Sequence, residues 1–265
     1  MRNPTVAGQF YLRDPKGLER EIRGYFENLE ISQKNILGAV IPHAGYIFSG
    51  PIAAYAFALL PKADTYIVLG PNHTGLGSAV AISQDTWSTP LGDIETDKDL
   101  GKSLVGTIMD IDETAHMYEH SIEVQLPFLQ YKFENDFKVL PICMGLQDEE
   151  TALEVGKEIS NVVQKFNKKV VIIASSDFTH YEPENVALDT DKYLIESIQN
   201  MDVSEFYRRR AEKSATACGC GPISAMLIAT KNLGGKKGKL LSYGTSADVT
   251  GDKSSVVGYA AIVVE

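Results

Sequence analysis

Basic charge is scarce in this chain: 25 lysines and arginines stand against 35 aspartates and glutamates, a formal charge of −10. Affinity for a phosphate backbone comes mainly from clustered Lys and Arg, so the deficit argues against a nucleic-acid binder. The short basic runs, Arg208 to Arg210 after Tyr207 and Lys236, Lys237 and Lys239 in a Gly-rich turn, read as solvated surface. Cysteine is sparse as well. Three residues, two of them in Cys218-Gly219-Cys220, do not make a disulfide framework. No apolar run approaches the length that spans a bilayer, and the N-terminal MRNPTVAGQFY lacks the apolar stretch of a signal peptide, so a cytoplasmic protein without membrane contact is expected. No Pro/Ser-rich linker, charge block or internal repeat interrupts the 265 residues, and one domain over 1–265 is expected.

Several catalytic signatures are missing too. GPNHTGLG holds glycines without the GxGxxG of a dinucleotide site or the GK ending of a P-loop, and SSDF lacks the GxSxG elbow of hydrolases. Cys-x-Cys is tighter than the pairs of a zinc knuckle and has no second pair, which argues against a structural zinc finger.

What is present is an alternation of strand-length apolar runs with helical patterns. Strands are predicted over 36–41, 65–69, 79–82, 139–142, 169–174, 240–243 and 256–264, with a hairpin around Trp87. Helices are predicted over 51–60, 97–107, 149–166, 186–199, 203–211 and 221–233, and one over 121–133 kinked at Pro127. That order predicts a single-domain, three-layer α/β/α sandwich with a mostly parallel or mixed central sheet.

Three site candidates, IPHAGY, LGPNHTG and SSDFTH, each begin where a predicted strand ends. In open α/β sheets the carboxyl ends of neighbouring strands share one edge, where ligands bind. Of five histidines, His43, His73 and His180 lie in these turns. Any one of them alone reads as a structural histidine; together they favour function. Imidazole suits iron, copper and zinc, and a thiolate adds a soft ligand. Cys218, or Cys220, precedes a predicted helix whose N-terminus would favour the thiolate, for coordination or as a nucleophile with His180 as base. Asp177 could orient His180 or cap its turn. In HMYEHSIEVQ, a helix would place His116 and His120 on one face; His120 is expected at a pocket wall or in acid/base work, His116 on the surface, and Glu123 as a hydrogen-bond anchor.

The stretches AGQFY, IPHAGYIFSG, LGPNHTG, STPLGD, EHSIEVQLPFLQ, SSDFTHY, CGCGPI and SSVVGYAA resemble the Memo family in order and over nearly the whole chain. The resemblance implies a fold similar to class III extradiol dioxygenases, with His43, His73 and Cys218 as metal ligands and Asp177 and His180 lining the same pocket. The dioxygenases hold iron with two histidines and a carboxylate, so a cysteine in third place departs from their pattern. The expected ion is Fe(II), with copper or zinc as alternatives, serving redox or oxygen chemistry on a small-molecule substrate. The runner-up is a metal- or phosphopeptide-binding module that uses the same pocket without turnover. Microbial members of the family are linked with AMMECR1-type and radical-SAM proteins, which are the implied protein partners.

Overall fold

The run Val170–Ser175, VVIIAS, is buried along nearly its whole length, as a strand covered on both faces must be. It lies inside a nine-stranded mixed sheet in the computed structural model of the chain, which describes residues 1–29, 32 and 34–265. The chain opens with helix α1 (Pro15–Phe26), strand β1 (Gly38–Ile41), helix α2 (Tyr46–Leu59) and strand β2 (Thr65–Pro71). Strands β3 (Val80–Ile82), β4 (Trp87–Thr89) and β5 (Gly92–Ile94) lead to α3 (Lys98–Leu104) and β6 (Asp110–Ile111). After 3-10 turns at Glu113–His116 and Glu123–Gln125 come α4 (Leu126–Phe133), β7 (Lys138–Met144), α5 (Glu149–Val163), β8 (Val170–Ser175) and β9 (His180–Glu182). The remainder is α6 (Glu184–Gln199), α7 (Val203–Lys213), α8 (Cys220–Asn232), β10 (Gly238–Thr245), α9 (Ala247–Thr250) and β11 (Val256–Val264). Among the described residues, no helix is long and apolar enough to cross a membrane.

The sheet order is β10-β11-β1-β8-β2-β7-β3-β6, with β9 paired to β11. Strands β1, β8, β2 and β7 run parallel, whereas β11 is antiparallel to β1 and β3 to β7. Successive side chains enter opposite cores, as the period of two demands. Ala39, Ile41, Val68 and Ile173 pack with α1, α2 and α4, while Val40, Leu69, Ile172 and Ala174 pack with α3, α5, α6, α7 and α8. This is the three-layer mixed α/β/α arrangement that the pattern predicts. Adjacent strands β1 and β8 send their next helices, α2 and α6, to opposite faces, the condition that opens a crevice at the carboxyl ends.

Local chemistry explains where the elements depart from the periodicity. Helix α1 was not evident from strand–helix alternation, yet its signals are present: Asp14 accepts from Gly17 N at 2.7 Å, Pro15 sits in the first turn, and Leu18, Ile22 and Phe26 form one buried stripe. Helix α2 starts five residues before the predicted 51, with Pro51 inside it. Both Pro51 and Ile47, whose carbonyl the proline leaves unbonded, are exposed, so water can take that carbonyl. The predicted 121–133 helix is instead a 3-10 turn followed by α4, and Pro127 stands in the first turn of α4, where a missing N–H costs nothing and no kink arises. The hairpin around Trp87 is the β4–β5 pair.

Glu123 is the anchor that its position suggested. Its buried carboxylate pairs with Arg2 and accepts from Thr5 N, Val6 N at 3.0 Å and Tyr11 OH at 2.7 Å. The Arg2 guanidinium in turn lies over the Trp87 ring, 4.2 Å from its centroid, and donates to the carbonyls of His116 and Glu119. Removing one partner of such a pair would strand a buried charge, at about 3–5 kcal/mol.

His116 is not on the surface. It is fully buried edge-on to Trp87, its Nε2–H donates to Ala81 O at 3.1 Å, and its Nδ1 meets no partner among the described residues. The segment is a 3-10 turn rather than a continuous helix, which separates His116 from His120. Burial pushes the His116 imidazole down to about 4. A histidine lowered in this way is neutral when folded but takes a proton when unfolded below about pH 6.5, so stability falls as pH drops from 6.5 toward 4. Urea unfolding at pH 7 and pH 5 should therefore show His116→Gln losing about 2 kcal/mol less than wild type over that interval. Equal losses would place the acid sensitivity elsewhere.

Candidate metal centre

Because β8 lies between β1 and β2, the turns that follow these three strands are neighbours: Pro42-His43 after β1, Ser176-Asp177 after β8, and Asn72-His73 after β2. The fourth wall is the segment leading into α8. A Cβ on Gly219 would lie 2.5 Å from Ser175 O and 2.6 Å from Ser176 Cβ, so only glycine lets this segment rest on the end of β8. Gly219 N donates to Ser176 Oγ at 2.9 Å, Cys218 N to Asp177 O at 3.3 Å, and Asp177 N to Cys218 Sγ at 3.3 Å.

These constraints bring together the three residues proposed as ligands. The ligand atoms of His43, His73 and Cys218 lie within 4.8 Å of one another, and Cys218 Sγ is 3.2 Å from His43 Nε2 across 175 positions of sequence. The two imidazoles stand nearly perpendicular, with centroids 5.2 Å apart.

Hydrogen bonding settles how each ring is presented. Ser175 donates its one hydroxyl hydrogen to Ser121 O at 2.6 Å and accepts from Gln125 Nε2 at 2.7 Å. Its contact with His43 Nδ1 at 2.9 Å must therefore be donated by the imidazole, which leaves the Nε2 lone pair facing Cys218. His73 Nδ1 lies 2.9 Å from Glu119 Oε1, and a carboxylate only accepts, so this ring also holds its proton on Nδ1.

Glu119 was overlooked as a site residue, although its place beside His120 in EHSIEVQ was a signal. Fully buried, it accepts from His73 N at 2.5 Å, His120 N at 2.9 Å and Ser121 N at 2.8 Å as well as from the His73 ring. Although burial opposes ionisation, the hydrogen bond from the His73 ring and the backbone N–H donors outweigh it and hold the carboxyl down at about 2. The strand end that bears His73 is close-packed against the same segment: a Cβ on Gly70 would meet Ser121 Oγ at 2.5 Å.

His120 belongs to the same constellation. Its ring stacks on His73 with centroids 4.7 Å apart, meets His43 edge-on at 5.5 Å and packs on Phe10 at 4.8 Å. Burial lowers the imidazole of His43, helped by His120 and His73, and that of His120, where it outweighs the opposing Glu119 charge, so both favour the neutral form.

Asp177 does not orient His180. Its Oδ1 accepts from His43 N at 2.8 Å, so it braces the turn after β1, and burial pushes its carboxyl up to about 6. His180 stands at the rim: its N donates to Thr216 Oγ1 at 2.8 Å and its Nδ1–H to Thr216 O at 3.1 Å, which ties β9 to the Cys218 segment. The next residue, Tyr181, is exposed with φ of 62°. Cys218 meets His43 rather than His180, and burial, reinforced by the Asp177 charge, pushes its thiol up rather than down. That removes the arrangement of a Cys218 nucleophile activated by His180. Tyr46 is a core residue that donates to Val124 O at 2.7 Å.

A family model described as Memo-like protein matches residues 2–263. A MEMO1 family protein of Methanococcoides burtonii is 62% identical over 265 residues, covering 100% of both chains. One from Methanosarcina barkeri is 60% identical over the same span, and one from Archaeoglobus fulgidus is 45% identical over 263 residues, covering 99% of each chain. Among solved structures, an uncharacterized protein from Escherichia coli K12 matches with a TM-score of 0.57 at 10% identity, covering 87% of this chain and 100% of that one, a likeness of fold alone.

The tautomer assignment is directly measurable. Long-range ¹H–¹⁵N spectra of the metal-free protein at pH 8 should show both His43 and His73 protonated on Nδ1. An Nε2–H pattern at either ring would contradict the hydrogen-bond network.

Proposed function

The chain belongs to the Memo family, and from that premise we propose that its pocket holds one transition-metal ion through His43, His73 and Cys218, for redox or oxygen-dependent chemistry on a small molecule. Fe(II) is the leading candidate, with copper and zinc behind it. The carrying observation is that the three ligand atoms lie within 4.8 Å of one another while both rings keep their protons on Nδ1. Two neutral imidazoles and one sulfur suit such an ion better than magnesium or calcium. When bound, the metal supplies redox reactivity and coordination positions that three protein ligands leave open.

The surrounding residues divide the remaining work. Glu119 and Ser175 fix the orientation and basicity of the two rings, the task that outer carboxylates and hydroxyls perform for ligating histidines. Asp177 holds the His43 turn and keeps the Cys218 sulfur in place through its N–H. His120, neutral and stacked on His73, is an imidazole able to take a proton from a substrate group at the pocket wall. Phe10 packs on the same ring and adds an apolar contact to that wall.

Anaerobic titration with Fe(II) at pH 7.5 should give one equivalent bound by wild type. His43→Ala and Cys218→Ser should each lower the affinity at least about a hundredfold, and Glu119→Gln about ten- to a hundredfold. Because the imidazoles must be unprotonated and the thiol must lose its proton to bind, affinity should fall as pH drops from 7.5 to 5. Equal binding by wild type and the two ligand variants would end the proposal.

A further inference from the structure

Three arginines follow one another on α7, and two are spoken for. Arg208 pairs with Glu205 and Glu212 at 2.7 Å, and Arg209 with Glu205 and Glu196 at 2.6 Å. Arg210 differs. Among the described residues its guanidinium makes no ion pair or hydrogen bond, and its Nε is buried without a partner. A buried donor left unbonded in a charged group is costly, so this guanidinium keeps hydrogen-bonding capacity that its protein neighbours leave unused.

Arg210 lines a cleft of about 570 Å³ together with Gln147, Tyr207, Thr216, Cys218 and Cys220. The walls are held by bonds that do not use Arg210. Tyr207 OH donates to Gln147 O at 2.8 Å, Gln147 Nε2 donates to Cys218 O at 3.0 Å, and Gly221 N donates to Gln147 Oε1 at 2.9 Å. The 13-residue helix α8 starts here, at Cys220, and although Gln147 Oε1 already takes the Gly221 N–H, the positive end of the helix adds to the arginine's charge. Two carboxylates also line the cleft and keep their charge, but both point their oxygens into local bonds: Asp148 caps α5 by accepting from Thr151 N and Oγ1, and Glu149 accepts from Ser204 Oγ at 2.5 Å, so an anion here is held by Arg210 against their repulsion.

We propose that this cleft is an oxyanion subsite in which Arg210 grips a carboxylate or phosphate group of a small molecule. The planar guanidinium offers two parallel N–H donors of the spacing such groups accept. Since the cleft shares the Cys218 segment with the metal pocket, the subsite selects anionic substrates for that pocket; this last step rests on the metal reading, whereas anion binding itself does not.

The test uses the full-length, metal-free protein and two probes, inorganic phosphate and malonate, each titrated by calorimetry into wild type, Arg210→Gln and Arg208→Gln. At least one probe should bind wild type and Arg208→Gln alike, and Arg210→Gln about tenfold or more weakly. Phosphate alone would assign a phosphoryl group, malonate alone a carboxylate. Unchanged thermal melting and one equivalent of Fe(II) bound by Arg210→Gln would show that fold and metal pocket are intact. Binding of neither probe to wild type, or equal binding by Arg210→Gln, overturns the subsite. Loss of Fe(II) binding by wild type would overturn the metal reading alone.

Discussion

The placement of β8 between β1 and β2 is the constraint on which the site depends. β1 and β2 are separated by 23 residues of loop and helix, yet neither pairs with the other; a strand made more than 90 residues later fills the gap. Three strand ends thereby become neighbours, and each carries a residue of the pocket. The side chains of β8 alternate between two separate cores, so a slip of its register by one would drive each set into the other core, which is packed for different neighbours. A tightly specified strand thus fixes the spacing of two imidazoles that it does not itself carry.

Burial and hydrogen bonding then set the chemistry of the pocket. Desolvation favours the neutral forms of His43, His120 and Cys218, while Glu119 stays ionised because the His73 ring and several N–H groups converge on it. The buried Glu119 carboxylate, which can only accept, is what keeps a proton on His73 Nδ1. The same logic, with a hydroxyl in place of the carboxylate, operates at His43 through Ser175.

Much of this was legible in the chain because strand ends are marked by abrupt changes in composition. VVIIA giving way to SSDFTH, and YIVLG to PNHTG, mark Asp177 and His73 for one sheet edge in the sequence itself. Cys218 was legible by its Gly-flanked turn and the family resemblance. What could not be read was the conformation of the segment 113–125. A helical spacing joined His116 to His120, but two 3-10 turns part them. Glu119 turns to the pocket and Glu123 to the N-terminus; His116 goes into the core behind Trp87. Tertiary bonds from Arg2 decide that path, and their partners lie more than a hundred residues away. Arg210 was hidden for a related reason: three consecutive arginines look alike until the carboxylates that claim two of them are in place.

The central claim is that one ion is held jointly by a sulfur and two ring nitrogens. X-ray absorption at the iron edge, on protein loaded anaerobically with one equivalent of Fe(II), addresses it without reference to any substrate. The account predicts a first coordination shell that contains one sulfur scatterer and the outer-shell signature of two imidazoles, with the sulfur lost in Cys218→Ser. A shell of oxygen and nitrogen alone, unchanged by that substitution, would contradict it.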